Sequence, residues 1–173
     1  MVYLFKFELQ NYKILNRSPD EMDIKIISYN PKFKSDFIRL NKAWLEEYFF
    51  VEKHDIDVFE NIEEVILNPG GEIFFCLVNN EIAGTVAMQK VNNNVFEMAK
   101  LAVDKPFQGQ KLSHYLMEAC IAFAKEKKAK KIMLMSSTKL DTALNLYRKY
   151  NFTEVPLDET DYHRADIQME LIL

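Results

Sequence analysis

A mixed α/β domain, with an antiparallel meander first and a βαβα unit after it, is the fold class this sequence predicts. Short apolar stretches punctuated by paired or tripled asparagines mark the meander. Apolar residues at helical spacing over 33–49 and 110–128 mark two long helices. Passages from strand through turn to helix in the second half mark the βαβα part.

A strand over 24–29 reaches Pro31, and a helix follows over 33–49 with Phe33, Phe37, Leu40, Trp44 and Tyr48 on one side. Val58, Ile62, Val65 and Ile66 predict a second helix over 56–67, stopped by Pro69-Gly70-Gly71. Residues 73–78 and 82–88 form a hairpin about Asn79-Asn80, because asparagine tolerates the positive φ a tight turn needs. Asn92-Asn93-Asn94 turns the chain into a strand over 95–103. The helix over 110–128 carries a stripe of Leu112, Tyr115, Leu116, Ala119, Cys120 and Phe123. A strand over 132–135, a helix over 139–150 and strands near 152–155 and 165–173 complete the chain. The polar stretch Arg17-Ser18-Pro19-Asp20-Glu21 divides residues 1–21 from a domain over 22–173. The first segment is an added strand, an interaction arm, or an artefact of start-site choice, since Met22 can itself initiate a complete domain.

Composition narrows the function classes. The chain of 173 residues has a formal net charge of −4, which gives no drive toward nucleic acid. No apolar run approaches the ~20 residues of a membrane span, and Lys6 and Glu8 interrupt the apolar start, which makes it a poor signal peptide. Cys76 and Cys120 lie in apolar contexts without metal-ligand spacing and read as reduced core residues. A cytoplasmic protein without a metal is the expectation.

The informative stretch is Leu101-Ala102-Val103-Asp104-Lys105-Pro106-Phe107-Gln108-Gly109-Gln110-Lys111-Leu112-Ser113. A buried strand runs through a turn into the start of a long helix, where unpaired amides and the positive dipole end suit an anion, most naturally phosphate. Every βα unit has such a turn, so this alone does not separate a phosphate site from an ordinary connection.

Gln108-Gly109 at this position resembles the pyrophosphate loop, Gln/Arg-x-x-Gly-x-Gly/Ala, of the GNAT superfamily of acetyl-CoA-dependent N-acetyltransferases. Lys111 stands where that motif has its first glycine, and Ser113 where it has its last Gly/Ala. Leu144-Asn145-Leu146-Tyr147-Arg148-Lys149-Tyr150-Asn151-Phe152 resembles the family's helix ending in A-x-x-L-Y-x-x-x-G-F, with Asn151 for the glycine. Tyr162-His163-Arg164-Ala165-Asp166-Ile167-Gln168-Met169-Glu170-Leu171 is similar to a C-terminal strand of one small-acetyltransferase branch. The resemblance covers 22–173. It implies a mostly antiparallel central sheet with a splayed strand pair and helices on both faces.

The resemblance also implies roles. Backbone groups of Leu101, Ala102 and Val103 would hold the pantetheine arm and polarise the thioester carbonyl. Amides of Gln108, Gly109, Gln110, Lys111, Leu112 and Ser113 would cradle the pyrophosphate, with the Lys111 ammonium and Ser113 hydroxyl able to pair with phosphate. Asn145 would bond the pantetheine. Tyr147 would be the general acid for the coenzyme thiolate, and Glu97 the base for the amine, with His54, His114 and His163 as alternatives. Trp44, Tyr48, Tyr162 and Arg164 would line the acceptor side, Arg164 gripping a substrate carboxylate.

Glu46, Glu47, Glu52, Asp55 and Asp57 read either as an attractor for a cationic amine or, preferably, as a solvated acidic face beside core aromatics. The implied activity is direct acetyl transfer from acetyl-CoA to a primary amine of a small molecule or peptide. The competing reading is a non-catalytic acyl-CoA sensor or interaction module, favoured by the departures at Lys111 and Ser113. A homodimer is one arrangement open to the 1–21 segment, which could add a strand to a partner's edge.

Overall fold

A computed structural model describes residues 22–158 and 162–173; the segment 1–21, and with it the reading of that segment, lies outside the described residues. The elements in order are β1 (Ile24–Ser28), α1 (Lys34–Tyr48), α2 (Lys53–Glu60), β2 (Glu72–Val78), β3 (Glu81–Asn92), β4 (Val95–Val103), α3 (Leu112–Glu126), β5 (Lys131–Ser136), α4 (Asp141–Lys149), β6 (Thr153–Val155) and β7 (Ile167–Ile172). They build one seven-stranded sheet in the order β1-β2-β3-β4-β5-β7-β6, antiparallel except between β4 and β5.

The β2 sequence explains why the sheet is covered on both faces. Its run is apolar at nearly every position, as a doubly covered strand requires. Ile73, Phe75 and Leu77 pack with Phe37, Leu45, Val58, Phe59 and Ile62 of the α1–α2 side. Phe74, Cys76 and Val78 pack with Leu112, Leu116, Met117 and Cys120 of α3. Both cysteines are free and buried, and burial pushes the Cys76 thiol up to about 11, so both act as small apolar side chains.

Backbone conformation follows the turn residues. Asn79 and Asn80 have φ of 51° and 66°, as a two-residue turn between antiparallel strands demands. Asn151 closes α4 at φ 64°, taking the left-handed position where the family motif has glycine. Two expectations change. The helix predicted over 56–67 is divided: α2 ends at Glu60, and residues Glu63–Leu67 make a separate wider π-type turn. Tyr48 and Tyr115, placed on core stripes by their spacing, are 47% and 38% exposed, because each sits at the margin of its helix's buried arc.

The wider turn packs its backbone tightly on β3. A Cβ built on Gly71 would lie 2.3 Å from the Met88 carbonyl oxygen and 2.5 Å from that of Ile66. Neither oxygen belongs to a flexible side chain. Gly71→Ala is therefore expected to destabilise the domain by about 2 kcal/mol or more, within the range for overpacking, as measured by urea unfolding.

Candidate active site

The site begins where two strands stop pairing. β4 and β5 are parallel neighbours only from Val95↔Lys131 to Glu97↔Met133. Beyond that register they diverge, because β4 bulges. Opposite it, Thr85 pairs with Ala102 and Ala87 with Ala99, so Lys100 and Leu101 together face Val86, and Lys100 takes φ 58°. The extra residue inverts the alternation of the strand. Phe96 and Met98 face α3 before the bulge, and Leu101 and Val103 do so after it. Lys100 is thereby turned to the opposite face, toward α2.

β4 leads through Lys105–Phe107 into α3, whose N-cap is Lys111 at φ 60° and ψ 21°. A lysine thus holds the left-handed conformation that a glycine would supply most easily, at a local cost of about 1–2 kcal/mol. Gly109, at φ 78°, has open space around its Cβ position. Gln108, Gly109, Lys111, Leu112 and Ser113 line a cavity of about 880 Å³ that continues along the β4/β5 gap past Leu101 and Val103. Ala102 points into the core at 3% exposure, and Gln110 bonds back to the Pro106 carbonyl at 3.5 Å; neither lines the cavity.

From α4, Asn145 and Tyr147 reach the same cavity. Asn145 is exposed and Tyr147 is buried. Burial, with Cys120 adding to it, pushes the Tyr147 phenol up to about 12, so it keeps its proton throughout the neutral range. Glu97, on the face opposite Phe96 and Met98, also lines the cavity. Trp44, Tyr48 and Phe49 of the α1 end border it as one aromatic group, with Trp44 5.4 Å from Tyr48 and 5.7 Å from Phe49 between ring centroids. His114 also lines the cavity and is held by the Tyr150 hydroxyl at 3.0 Å, while the His54 ring meets Tyr162 edge-on at 4.6 Å.

The side of the cavity nearest α2 contains a cluster that the sequence alone does not reveal. Asp55 is 0% exposed and Glu52 6%, so neither belongs to a solvated acidic face. The Asp55 carboxylate accepts four donors: Lys100 Nζ (2.5 Å) and Arg164 Nη2 (2.9 Å) at Oδ1, Arg164 Nη1 (2.8 Å) and the Glu52 amide (3.0 Å) at Oδ2. Glu52 receives the Arg164 amide at 3.2 Å and lies 2.9 Å from Arg164 Nη1. The Tyr162 ring packs against both cations, its centroid 4.8 Å from Lys100 Nζ and 5.0 Å from the Arg164 guanidinium carbon. Arg164 lines the cavity, and its guanidinium is engaged by Asp55 and Glu52 rather than presented to a substrate carboxylate.

Charges this deeply placed persist only when their partners compensate for lost water. Burial alone would raise the Asp55 pKa, but Arg164 and Lys100 outweigh it and hold the group down at about 2. Burial lowers the Lys100 pKa, against the opposing pull of Asp55. Among the described residues, no group of three or more His, Cys, Asp and Glu side chains is placed to hold a metal ion, and no helix is long and apolar enough to cross a membrane.

The fold and the gap lead to a class, and comparison with known proteins supplies the same one. Residues 38–152 match the model of the acetyltransferase (GNAT) family. An acetyltransferase of the GNAT family from Staphylococcus aureus is 25% identical, superimposes with a TM-score of 0.77, and is matched over 86% of this chain and 98% of that one. An acetyltransferase from Streptococcus agalactiae is 22% identical with a TM-score of 0.74, over 88% and 98%. A GNAT acetyltransferase from Elizabethkingia anophelis, solved with acetyl-CoA bound, is 22% identical with a TM-score of 0.63, over 87% and 98%. The chain belongs to the acetyltransferase (GNAT) family, and as an enzyme it is an acyltransferase.

The Asp55 cluster has a defined pH signature. Its folded pKa lies below the ordinary 3.8, so the stabilisation it contributes is complete above that value and is lost as pH falls toward 2. Asp55→Asn leaves Lys100 and Arg164 buried without their shared carboxylate. At pH 7 it is expected to cost about 3–5 kcal/mol in urea unfolding, and the gap from the parent should narrow progressively below pH 4.

Proposed function

We propose that this protein transfers an acetyl group from acetyl-CoA directly to the neutral amine of an acceptor. The carrying observation is that the β4/β5 gap, the α3 N-terminus and Tyr147 share one cavity that Glu97 also lines. The residues present suit the cosubstrate. The Leu112 and Ser113 amides precede the first bond of α3, which His114 makes to the Lys111 carbonyl at 3.0 Å, and a left-handed Lys111 lets the backbone turn into the helix without a glycine. The gap exposes the edge of β4 to an extended pantetheine arm. The Elizabethkingia protein, with acetyl-CoA, and the PaiA N-acetyltransferase from Thermoplasma acidophilum, with coenzyme A, are solved with such molecules on the same fold.

Acetyl-CoA supplies the activated thioester, and the chain supplies position and protons. Backbone groups of Leu101 and Val103 at the gap orient and polarise the acyl carbonyl; fixed amides do this without reorganisation. Lys111 and Ser113 add an ammonium and a hydroxyl to the helix end that receives the pyrophosphate. An alkyl amine is mostly protonated at neutral pH, its pKa being about 10.4, so Glu97 takes the proton that frees the nucleophile. Tyr147 donates to the departing sulfur, and its raised pKa keeps that proton available. In the sequence, Lys111 favours an acyl-CoA sensor without activity. Because Lys111 itself takes a left-handed conformation that a glycine adopts readily, the loop's backbone gives that reading no advantage.

Calorimetry with acetyl-CoA, using plain and dephosphorylated CoA as controls, followed by thiol release over a panel of amines, tests the proposal. Micromolar binding with turnover is the expected result; binding without turnover on any amine would favour the sensor, and no binding would remove both. Tyr147→Phe is expected to lower kcat by about 10²-fold while the dissociation constant for acetyl-CoA stays within experimental error. Lys111→Ala is expected to weaken acetyl-CoA binding and flatten its salt dependence, since one charge–phosphate contact is removed.

A further inference from the structure

We infer that Asn41 is a specificity residue for the substrate amine: its side-chain oxygen selects an amine that carries a second hydrogen-bond donor, a hydroxyl or another N–H, close to the reacting nitrogen. The inference rests on the transfer reading above, whose substrate class it narrows. In that reading the coenzyme takes the β4/β5 gap and the α3 N-terminus, which leaves the α1 side of the cavity to the amine. Asn41 stands at the centre of α1 with Trp44, Leu45 and Tyr48 at i+3, i+4 and i+7, and all four line the cavity.

A buried helix interior is an unfavourable place for asparagine, because the amide competes with the helix backbone and its polar atoms lose water. Asn41 is 3% exposed, and Phe37 and Leu45, one turn away on either side, are 0% and 2% exposed. A leucine would suit that setting better. The amide also ties no second element to α1. Its one hydrogen bond to a described residue runs from Nδ2 to the Phe37 carbonyl, 2.8 Å away in the same helix. That bond fixes the amide's orientation, since turning it over would set Oδ1 against the Phe37 carbonyl, two acceptors facing each other. Oδ1 receives no bond from any described residue. It is not one of the buried atoms shut off without a partner, so it opens on the cavity that the side chain lines. Its neighbours do not duplicate it: Trp44 is a donor only, Leu45 is apolar, and Tyr48 stands about 10 Å further along the helix axis. A substrate carboxylate would meet Oδ1 acceptor to acceptor, and the Lys100 and Arg164 cations are already engaged by Asp55 and Glu52.

The test uses CoA conjugates that join the coenzyme sulfur through an acetyl linker to ethanolamine, ethylenediamine, n-propylamine or glycine, and the same set lengthened by one methylene. Binding of each to the full chain is measured by calorimetry, alongside acetyl transfer to the free amines. At one chain length or the other, the hydroxyl or amino conjugate is expected to bind about fivefold more tightly than its alkyl twin, and the two arms tell which donor is preferred. In Asn41→Leu that ratio should fall to within about twofold of one, while acetyl-CoA binds as in the parent and the urea midpoint is no lower. Asn41→Asp, which keeps an oxygen there and is checked for folding by circular dichroism, should retain the preference. Equal affinities within the donor and alkyl pairs at both lengths overturn the inference, as does a preference that survives in folded Asn41→Leu. Tightest binding by a carboxylate conjugate overturns it as well. Discrimination between conjugates without transfer to any amine supports the role of Asn41 while removing the transfer reading; transfer without discrimination does the reverse.

Discussion

The site depends on one local irregularity, the bulge at Lys100. An antiparallel pairing carried regularly along β4 would keep Lys100 on the α3 face with Phe96 and Met98. One residue in the left-handed region changes that parity, and two consequences follow from the same event. β4 departs from β5 after Glu97, leaving an unpaired strand edge beside the α3 N-terminus. Lys100 is delivered to the α2 side, where Asp55 is already buried. An unpaired edge inside a domain is normally a liability, since its N–H and C=O groups lack partners. Here the edge faces a cavity, where a ligand with amide groups of its own can complete the pairing.

The charged cluster ties this edge to the rest of the molecule. Asp55 lies in the first turn of a short helix, Lys100 sits on the bulge and Arg164 lies just before β7, so three segments distant in sequence converge on one carboxylate. An apolar cluster of the same volume would hold them at a smaller desolvation cost. What the ionic arrangement adds is direction: four donors saturate the two oxygens of Asp55 and admit one geometry. The α2 side of the cavity is rigid for that reason.

Two departures from the family motif keep a backbone conformation that glycine adopts readily. Lys111 and Asn151 both lie where glycine is usual, and both occupy the left-handed region. Asparagine visits it readily; lysine does so at a cost that the packing of α3 against the sheet offsets. The Lys111 substitution in turn leaves an ammonium at a helix end suited to anions.

The sequence by itself determined the strands, their order, the long helices and the strand–loop–helix passage at the start of α3. Those features are local: periodicity places strands and helices, paired asparagines place turns, and the strand–loop–helix passage with Gln108-Gly109 marks the α3 start. It also located Tyr147 and Asn145 within a helix, and Glu97 on the strand before the loop. Only the tertiary structure decided which charges are buried. Glu52 and Asp55 look like members of an exposed acidic run until Arg164, 109 positions beyond Asp55, meets them. Lys100 looks like an ordinary strand residue until the bulge inverts its side. The physical reason is that burial and ion pairing belong to contacts between distant segments, and a single residue of register shift reverses a side chain's face without changing anything legible in its neighbours.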